Sequence, residues 1–414
     1  MSNKLLVPRI RFKEFTNAWE QDTAKNLFIP YRVKNSNNMN LVSYSVTNKD
    51  GFVNQNEYFD DGGKAVFADK KNSLIVSRNT FAYNPSRINV GSLALYKHSE
   101  MGLVSPIYEV FQINSNNNPD FFLLWFRSEA FKNIVSTNSN KSVRDTLNLS
   151  QFESESVNFP NFAEQLKISS LFTYLDSLIT LHQRKLLSLK NLKSRLLDRM
   201  FCDEKSQFPS IRFKEFTNAW EQEKLGECSK FYNGLTSVSK SDFGVGKDLY
   251  IDYLNVFNNT FSQFSELKKF KNSSKQNYVQ FKDVILTISS ETPDEVAMSS
   301  VINWKNDYKN VAFNSFCILV RFNQLEKYDV NYIGYFFRSN SFRTQAMLMA
   351  QGISRFNINQ TALKKTLLLF PPNIDEQQKI GNVLYYLDSL ITLHQRKLNS
   401  LKNIKNTLLD KMFV

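Results

Sequence analysis

The sequence predicts an α+β protein: two mixed α/β domains set apart by two long antiparallel helices that pair like a coiled coil, with approximate two-fold symmetry. Three observations predict it. The chain is written twice, each copy ends in a long apolar stripe at helical spacing, and the stretches between read as mixed strands and helices.

The repeat is the firmest of the three. IRFKEFTNAWEQ occupies residues 10–21 and recurs unchanged at 211–222. The segment at 174–201, YLDSLITLHQRKLLSLKNLKSRLLDRMF, recurs at 386–413. The copies differ only at Leu187/Asn399, Leu192/Ile404, Ser194/Asn406, Arg195/Thr407 and Arg199/Lys411. Residues 22–160 and 223–371 share almost nothing beyond traces such as Arg144 against Arg355 and an FP pair at 159–160 and 370–371. A duplicated structural protein drifts evenly, whereas here one scaffold carries two different inserts. The expected divisions are a leading segment at 1–21, a variable region at 22–160 and a helix at 161–203. These are followed by a second leading segment at 204–222, a second variable region at 223–371 and a second helix at 372–414.

Residues 163–200 and 375–412 contain no Pro, and Gly only at Gly381. Leu171, Leu175, Leu178, His182, Leu186, Leu189, Leu196 and Met200 fall on one line of a helix surface. Val383, Leu387, Leu390, His394, Leu398, Leu401, Leu408 and Met412 repeat that stripe. Each helix would run roughly 55 Å, and Pro160, Pro371 and Pro372 mark where they begin. Matching stripes predict that the helices pair; two separate core helices are the alternative. An antiparallel return brings the C-terminus back to the first variable region and makes the pair a ruler between the two regions. His182 and His394 lie mid-stripe, where a polar pair would set the register, or where two unrelated histidines would be partly buried.

Within the variable regions, residues 73–76 and 284–288 read as strands. Residues 118–135 and 330–349 read as corresponding amphipathic helices. Each precedes a polar loop, STNSNKSVRD at 136–145 and AQGISRFNIN at 350–359. Such loops carry the donors and acceptors that base edges and phosphates require, and are equally what an ordinary solvated loop contains.

Composition narrows the function classes. With 414 residues, 42% hydrophobic and 36 Phe, the chain has material for real cores and two or three domains. A formal charge of +13 favours a polyanionic partner, nucleic acid first. Cys202, Cys228 and Cys317 are odd in number and form no CxxC, against a disulfide framework or zinc site and in keeping with a reducing cytoplasm. No signal peptide is expected at the N-terminus, and no apolar run of about 18 residues predicts a membrane span. Enzyme signatures are scarce. FPPN at 370–373 is not a base-methyltransferase motif, GVGK at 244–247 lacks P-loop spacing, and TPDE at 292–295 lacks nuclease spacing. His98 adds no metal cluster to the other two histidines.

With these residues in view, the chain resembles the specificity-subunit family of type I restriction–modification systems. The resemblance rests on the leading segment at 10–21, EQQKIGNVLYYLDSLITLHQRKL at 376–398 and the terminal LLDKMF. Within the variable regions it rests on FAYNPSRINVGSLALYKHSEMGLVSPIYEVF at 81–111 and QGISRFNIN ahead of FPP at 370–372. It implies two target-recognition domains, each reading one half of a bipartite site in double-stranded DNA. It also implies helices that hold two modification subunits, and restriction subunits recruited in turn. S-adenosylmethionine, ATP and Mg would belong to those partners, with no cofactor, metal or catalytic residue in this chain and no membrane. The expected DNA contacts are Asn84, Arg87, Ser105, Tyr108, Asn140 and Arg144 in the first domain. In the second they are Ser289, Ser290, Thr292, Ser354, Arg355 and Asn357. Arg and Asn suit guanine and adenine edges, Ser and Thr suit phosphates. The rival readings are a coiled-coil adaptor whose variable regions bind proteins, and a single-chain restriction–modification enzyme, against which the missing methyltransferase motif counts.

Overall fold

The structure is a computed structural model that describes residues 6–59, 70–138, 146–203, 205–305 and 310–414. The two long helices are Phe162–Arg199 and Ile374–Lys411. Asn161 and Asn373 cap them: their side-chain oxygens accept from Glu164 N–H (2.9 Å) and Asp375 N–H (2.8 Å), satisfying amides that the first turn leaves open. The apolar stripes are buried or half-buried at all eight positions of the first helix. In the second, Leu390 departs from expectation at 43% exposed.

The compact units do not follow the linear division read from sequence. One unit comprises Met1–His182 with Lys397–Val414, the other Gln183–Arg396. Each takes half of each helix, because a long helix with one apolar face contributes to whichever core lies beside each part of it. In the first unit the halves run antiparallel: Lys405 pairs with Asp176 at 2.5 Å, and Phe413 meets the Phe172 ring at 6.5 Å. In the second, Lys193 pairs with Asp388 at 2.6 Å. These two pairs are the same two repeat positions with the helices exchanged.

The leading segments build one frame twice. Arg11 grips Glu164 with two hydrogen bonds of 2.7 Å, and Arg212 grips Glu376 at 2.7 and 2.9 Å. In both pairs the carboxylate is buried. Strand Glu20–Thr23 pairs antiparallel with Ser156–Phe159, and Glu221–Lys224 with Leu367–Phe370. Buried Gln165 ties the helix start to Pro160 and Asn117, and buried Gln377 ties it to Pro371 and Lys327. The Ile211 N–H donates to Arg199 C=O (2.8 Å) just upstream of it, whereas the Ile10 N–H donates to Lys411 C=O (3.0 Å) at the far end of the chain. The first unit is therefore closed by the C-terminus, with Phe413 stacked on Phe121 at 5.3 Å.

The variable regions, dissimilar in sequence, share a topology. In the first unit, a four-stranded sheet runs Phe28–Pro30, Glu109–Ile113, Thr80–Tyr83, Leu93–Leu95. In the second, the order is Ser229–Asn233, Cys317–Phe322, Val284–Thr287, Ser299–Val301. The registers agree: Phe28 faces Ile113 as Ser229 faces Phe322, and Tyr83 faces Glu109 as Leu286 faces Ile318. A second sheet places Gly102–Val104 parallel to Val42–Thr47, and Val311–Phe313 parallel to Phe243–Ile251. The strands expected at 73–76 and 284–288 are present as Leu74–Val76 and Val284–Thr287.

The amphipathic helices expected at 118–135 and 330–349 are each two helices. Pro119–Trp125 precedes Glu129–Asn138, and Val330–Phe336 precedes Asn340–Met349. At each break a serine hydroxyl, Ser128 or Ser339, donates to the carbonyl three residues back at 2.7 Å. That bond takes a carbonyl the continuing helix would use. Aromatic rings fill the first core, Phe81 stacking on Phe111 at 5.1 Å.

Candidate nucleic-acid interface

Among the described residues, those singled out in the two variable regions lie around the same end of the corresponding four-stranded sheet in each unit. In the first, strand Thr80–Tyr83 ends at Asn84, whose side-chain oxygen accepts from Ser86 N–H at 3.0 Å and starts the 3-10 turn Pro85–Val90. Arg87 stands exposed on that turn. Beside it, through the pairing of Tyr83 with Glu109, lies the turn at 105–108 that follows Gly102–Val104. Ser105 is half-buried there, and its carbonyl accepts from Tyr108 N–H at 3.1 Å.

Tyr108 is not a surface contact. It is 7% exposed, and its hydroxyl accepts from Val46 N–H at 3.2 Å, so it anchors the turn from within. An aromatic ring beside a strand of apolar neighbours gains more from burial than its hydroxyl loses, provided the hydroxyl finds a partner. Asn140 and Arg144 lie outside the described residues.

In the second unit, strand Val284–Thr287 ends in the corresponding place and continues into Ser289–Ser290, which pairs with Phe356–Asn357. Ser289 and Ser290 are buried, which corrects their expected role. The Ser289 hydroxyl accepts from Arg355 Nε at 2.8 Å, its carbonyl accepts from the Tyr253 hydroxyl at 2.7 Å, and the Ser290 hydroxyl donates to Thr292 C=O. These serines hold the site up. Thr292, Ser354, Arg355 and Asn357 are exposed on it.

The loop carrying Ser354, Arg355 and Asn357 is a closed hairpin: Gln351 and Asn357 exchange both backbone hydrogen bonds, at 2.9 and 2.8 Å. Gly352 at its neck has φ +140, and a Cβ there would lie 2.0 Å from Arg355 O. Only glycine fits. Ile353 at the tip is 96% exposed. Arg355, tethered through Nε, keeps its Nη groups out of that bond, as a guanidinium needs for bidentate contact with guanine or phosphate.

His182 and His394 are each half-buried on their helices. No described helix is long and apolar enough to cross a membrane. Burial pushes the thiols of Cys202 and Cys228 up, to about 12 and about 11, so both are neutral near pH 7.

Comparison with known proteins decides the family. The model of the type I restriction modification DNA specificity domain matches twice, over residues 20–191 and 218–403. The chain belongs to that family. It is a DNA specificity subunit with two repeated specificity domains, not a coiled-coil adaptor of unrelated kind. The solved HsdS subunit of Thermoanaerobacter tengcongensis is 14% identical, with 95% of this chain and 96% of that one covered at a TM-score of 0.52. The type I restriction–modification S subunit of M. genitalium is 13% identical, with 99% of both chains covered at 0.54. A chain from a study of complex assembly and conformational transition in the type I R-M system is 14% identical, with 97% and 99% covered at 0.55. At these identities the likeness shows a shared fold. A search of curated proteins finds no match.

Three exposed residues on these edges, Ile107, Phe316 and Ile353, carry no sequence signal of their own: each is a bulky apolar side chain, for which the ordinary expectation is burial.

Proposed function

We propose that each unit reads one half of a bipartite, asymmetric site in duplex DNA, and that the paired helices hold two modification subunits through which restriction subunits are recruited. Methyl transfer from S-adenosylmethionine and ATP hydrolysis with Mg belong to those partners. This chain contributes recognition and no chemistry of its own, in the cytoplasm. The observation that carries the reading is the convergence of dissimilar polar residues on one sheet end of a duplicated frame. Asn84, Arg87 and Ser105 lie at the end of strand Thr80–Tyr83 and on the turn beside it, whereas Thr292, Arg355 and Asn357 lie beyond the end of the corresponding strand Val284–Thr287 and on the hairpin paired with its continuation. A frame copied twice with different edges suits two different half-sites.

The test uses the full chain with its modification subunits. Residues 22–160 are replaced by the variable region of a relative, and methylated adenines are mapped in genomic DNA. One half of the recognised site changes and the other stays. A swap that altered both halves, or neither, would overturn the assignment of one unit to one half-site. Binding should also weaken linearly in log salt, with a slope of about −0.9 for each phosphate neutralised.

A further inference from the structure

In both units the link from the second sheet into the second strand of the first sheet is a four-residue β-turn. The two copies align without a gap although their sequences differ. Ser105, Pro106, Ile107 and Tyr108 follow strand Gly102–Val104. Asn314, Ser315, Phe316 and Cys317 follow strand Val311–Phe313. In each the fourth N–H donates to the first carbonyl, at 3.1 Å from Tyr108 and 3.0 Å from Cys317. In each the fourth side chain is buried, while the third is apolar and exposed: Ile107 at 62% and Phe316 at 55%.

Both turns are held from outside and stiffened from within. Arg32 donates from Nη1 to Tyr108 C=O and from Nη2 to Pro106 C=O, each at 3.4 Å, and Pro106 locks the second φ. In the second unit, Ile288 N–H donates to Phe316 C=O at 3.0 Å, and the Asn314 side-chain oxygen accepts from Phe316 N–H at 2.8 Å. Both turns also adjoin the edge described above: Tyr83 pairs with Glu109 just ahead of Asn84, and Ile288 immediately precedes Ser289.

One exposed apolar side chain needs no explanation. The same turn position, filled twice by a bulky apolar residue that differs in kind, is a different matter. Two sequences that diverged almost everywhere else kept the tip out of the core and the fourth residue in it. A rigid backbone presenting an apolar tip beside Arg and Asn donors suits a base step, where thymine methyls and base faces are the apolar surfaces of a groove.

We propose that Ile107 and Phe316 are specificity-determining residues: each places its side chain against the bases of its own unit's half-site, Ile107 against a thymine methyl and Phe316 against a base face. This rests on the DNA-reading function proposed above. Discrimination by such contacts lies in fit to the base and not in charge.

The experiment selects duplexes from a library with a randomised core, using the full chain with its modification subunits. Wild type, Ile107→Ala, Phe316→Ala and Phe316→Tyr are compared, and affinities for the selected duplex are read by fluorescence anisotropy over a salt series. Each Ala variant should bind about tenfold more weakly with an unchanged salt slope, because no phosphate contact is lost. Base preference should relax in one half-site only, a different half for each position, and Phe316→Tyr should keep the wild-type preference. Equal affinity and equal base preference in both Ala variants, with wild type still enriching a sequence, would overturn this proposal alone. If wild type enriches nothing, the DNA-reading function falls and this inference with it.

Discussion

Arg127 and Arg338 occupy the same step between paired helices in the two units, each between a phenylalanine and a serine, and they behave in opposite ways. Arg127 is exposed. Arg338 is half-buried, donating from Nη2 to the carbonyls of Val256 (2.9 Å), Phe257 and Asn259 (both 3.0 Å), and from Nε to Ser299 C=O (2.8 Å). It closes the C-terminal end of helix Tyr253–Asn258, where carbonyls lack partners and a positive charge is welcome. Burial pulls its pKa down to about 10 with Arg343 adding to the effect, yet the guanidinium stays charged near neutrality. Both variable regions carry an arginine at this step, and its job depends on what each region packs alongside it.

Removing each arginine in turn separates the two roles. Arg338→Ala leaves a cluster of buried carbonyls without a donor and should cost about 3–5 kcal/mol in the second unit. Arg127→Ala should stay within about 0.5 kcal/mol. Hydrogen exchange along the full chain separates the units, and comparable losses in both would mean that Arg127 has a structural role its exposure does not reveal.

A second comparison concerns closure. Phe413→Ala removes a ring packed on Trp19 and Phe121 and should destabilise the first unit by about 3 kcal/mol, leaving the second unit's amides protected. Phe201→Ala, which removes the ring beside Tyr332 and Phe336, should do the converse. Exchange protection lost at Ile10 and Trp19 in the first variant, and at Ile211 and Trp220 in the second, is the expected signature. Loss of protection in both units from either variant would show that they unfold together.

The smallest effect lies in the buried carboxylates. Glu376 accepts from Trp220 Nε1 at 3.3 Å as well as from Arg212, whereas Trp19 Nε1 is buried without a partner. Glu376→Ala should therefore cost about 1 kcal/mol more than Glu164→Ala, measured by urea unfolding. Equal costs would mean that the indole bond contributes nothing net.

Much of the frame was legible because its signals are local or repeated. The helices announced themselves by eight apolar positions on one line, and the leading segments by identity. Arg87, Thr292, Arg355 and Asn357 were placed on exposed edges by residue type and loop context alone. Tyr108, Ser289 and Ser290 were misread because polar atoms suggest a surface, and their hydrogen-bond partners come from other strands: Val46 for Tyr108, and Arg355 and Tyr253 for Ser289. The shared topology of the variable regions was hidden for a related reason. Strand order and register are set by pairings among distant segments, and many apolar sequences satisfy the same pairings.

By itself the sequence determined the duplication, the helix stripes, the divergent inserts and the family, because each is written in contiguous residues or in identity between copies. Tertiary structure alone decided that each compact unit borrows half of both helices and that the C-terminus completes the first. It alone decided which side of the turns at 105–108 and 314–317 meets solvent. Those outcomes depend on where an apolar face finds a core to join. That core is assembled from strands and helices far apart in the chain, so no local pattern records it.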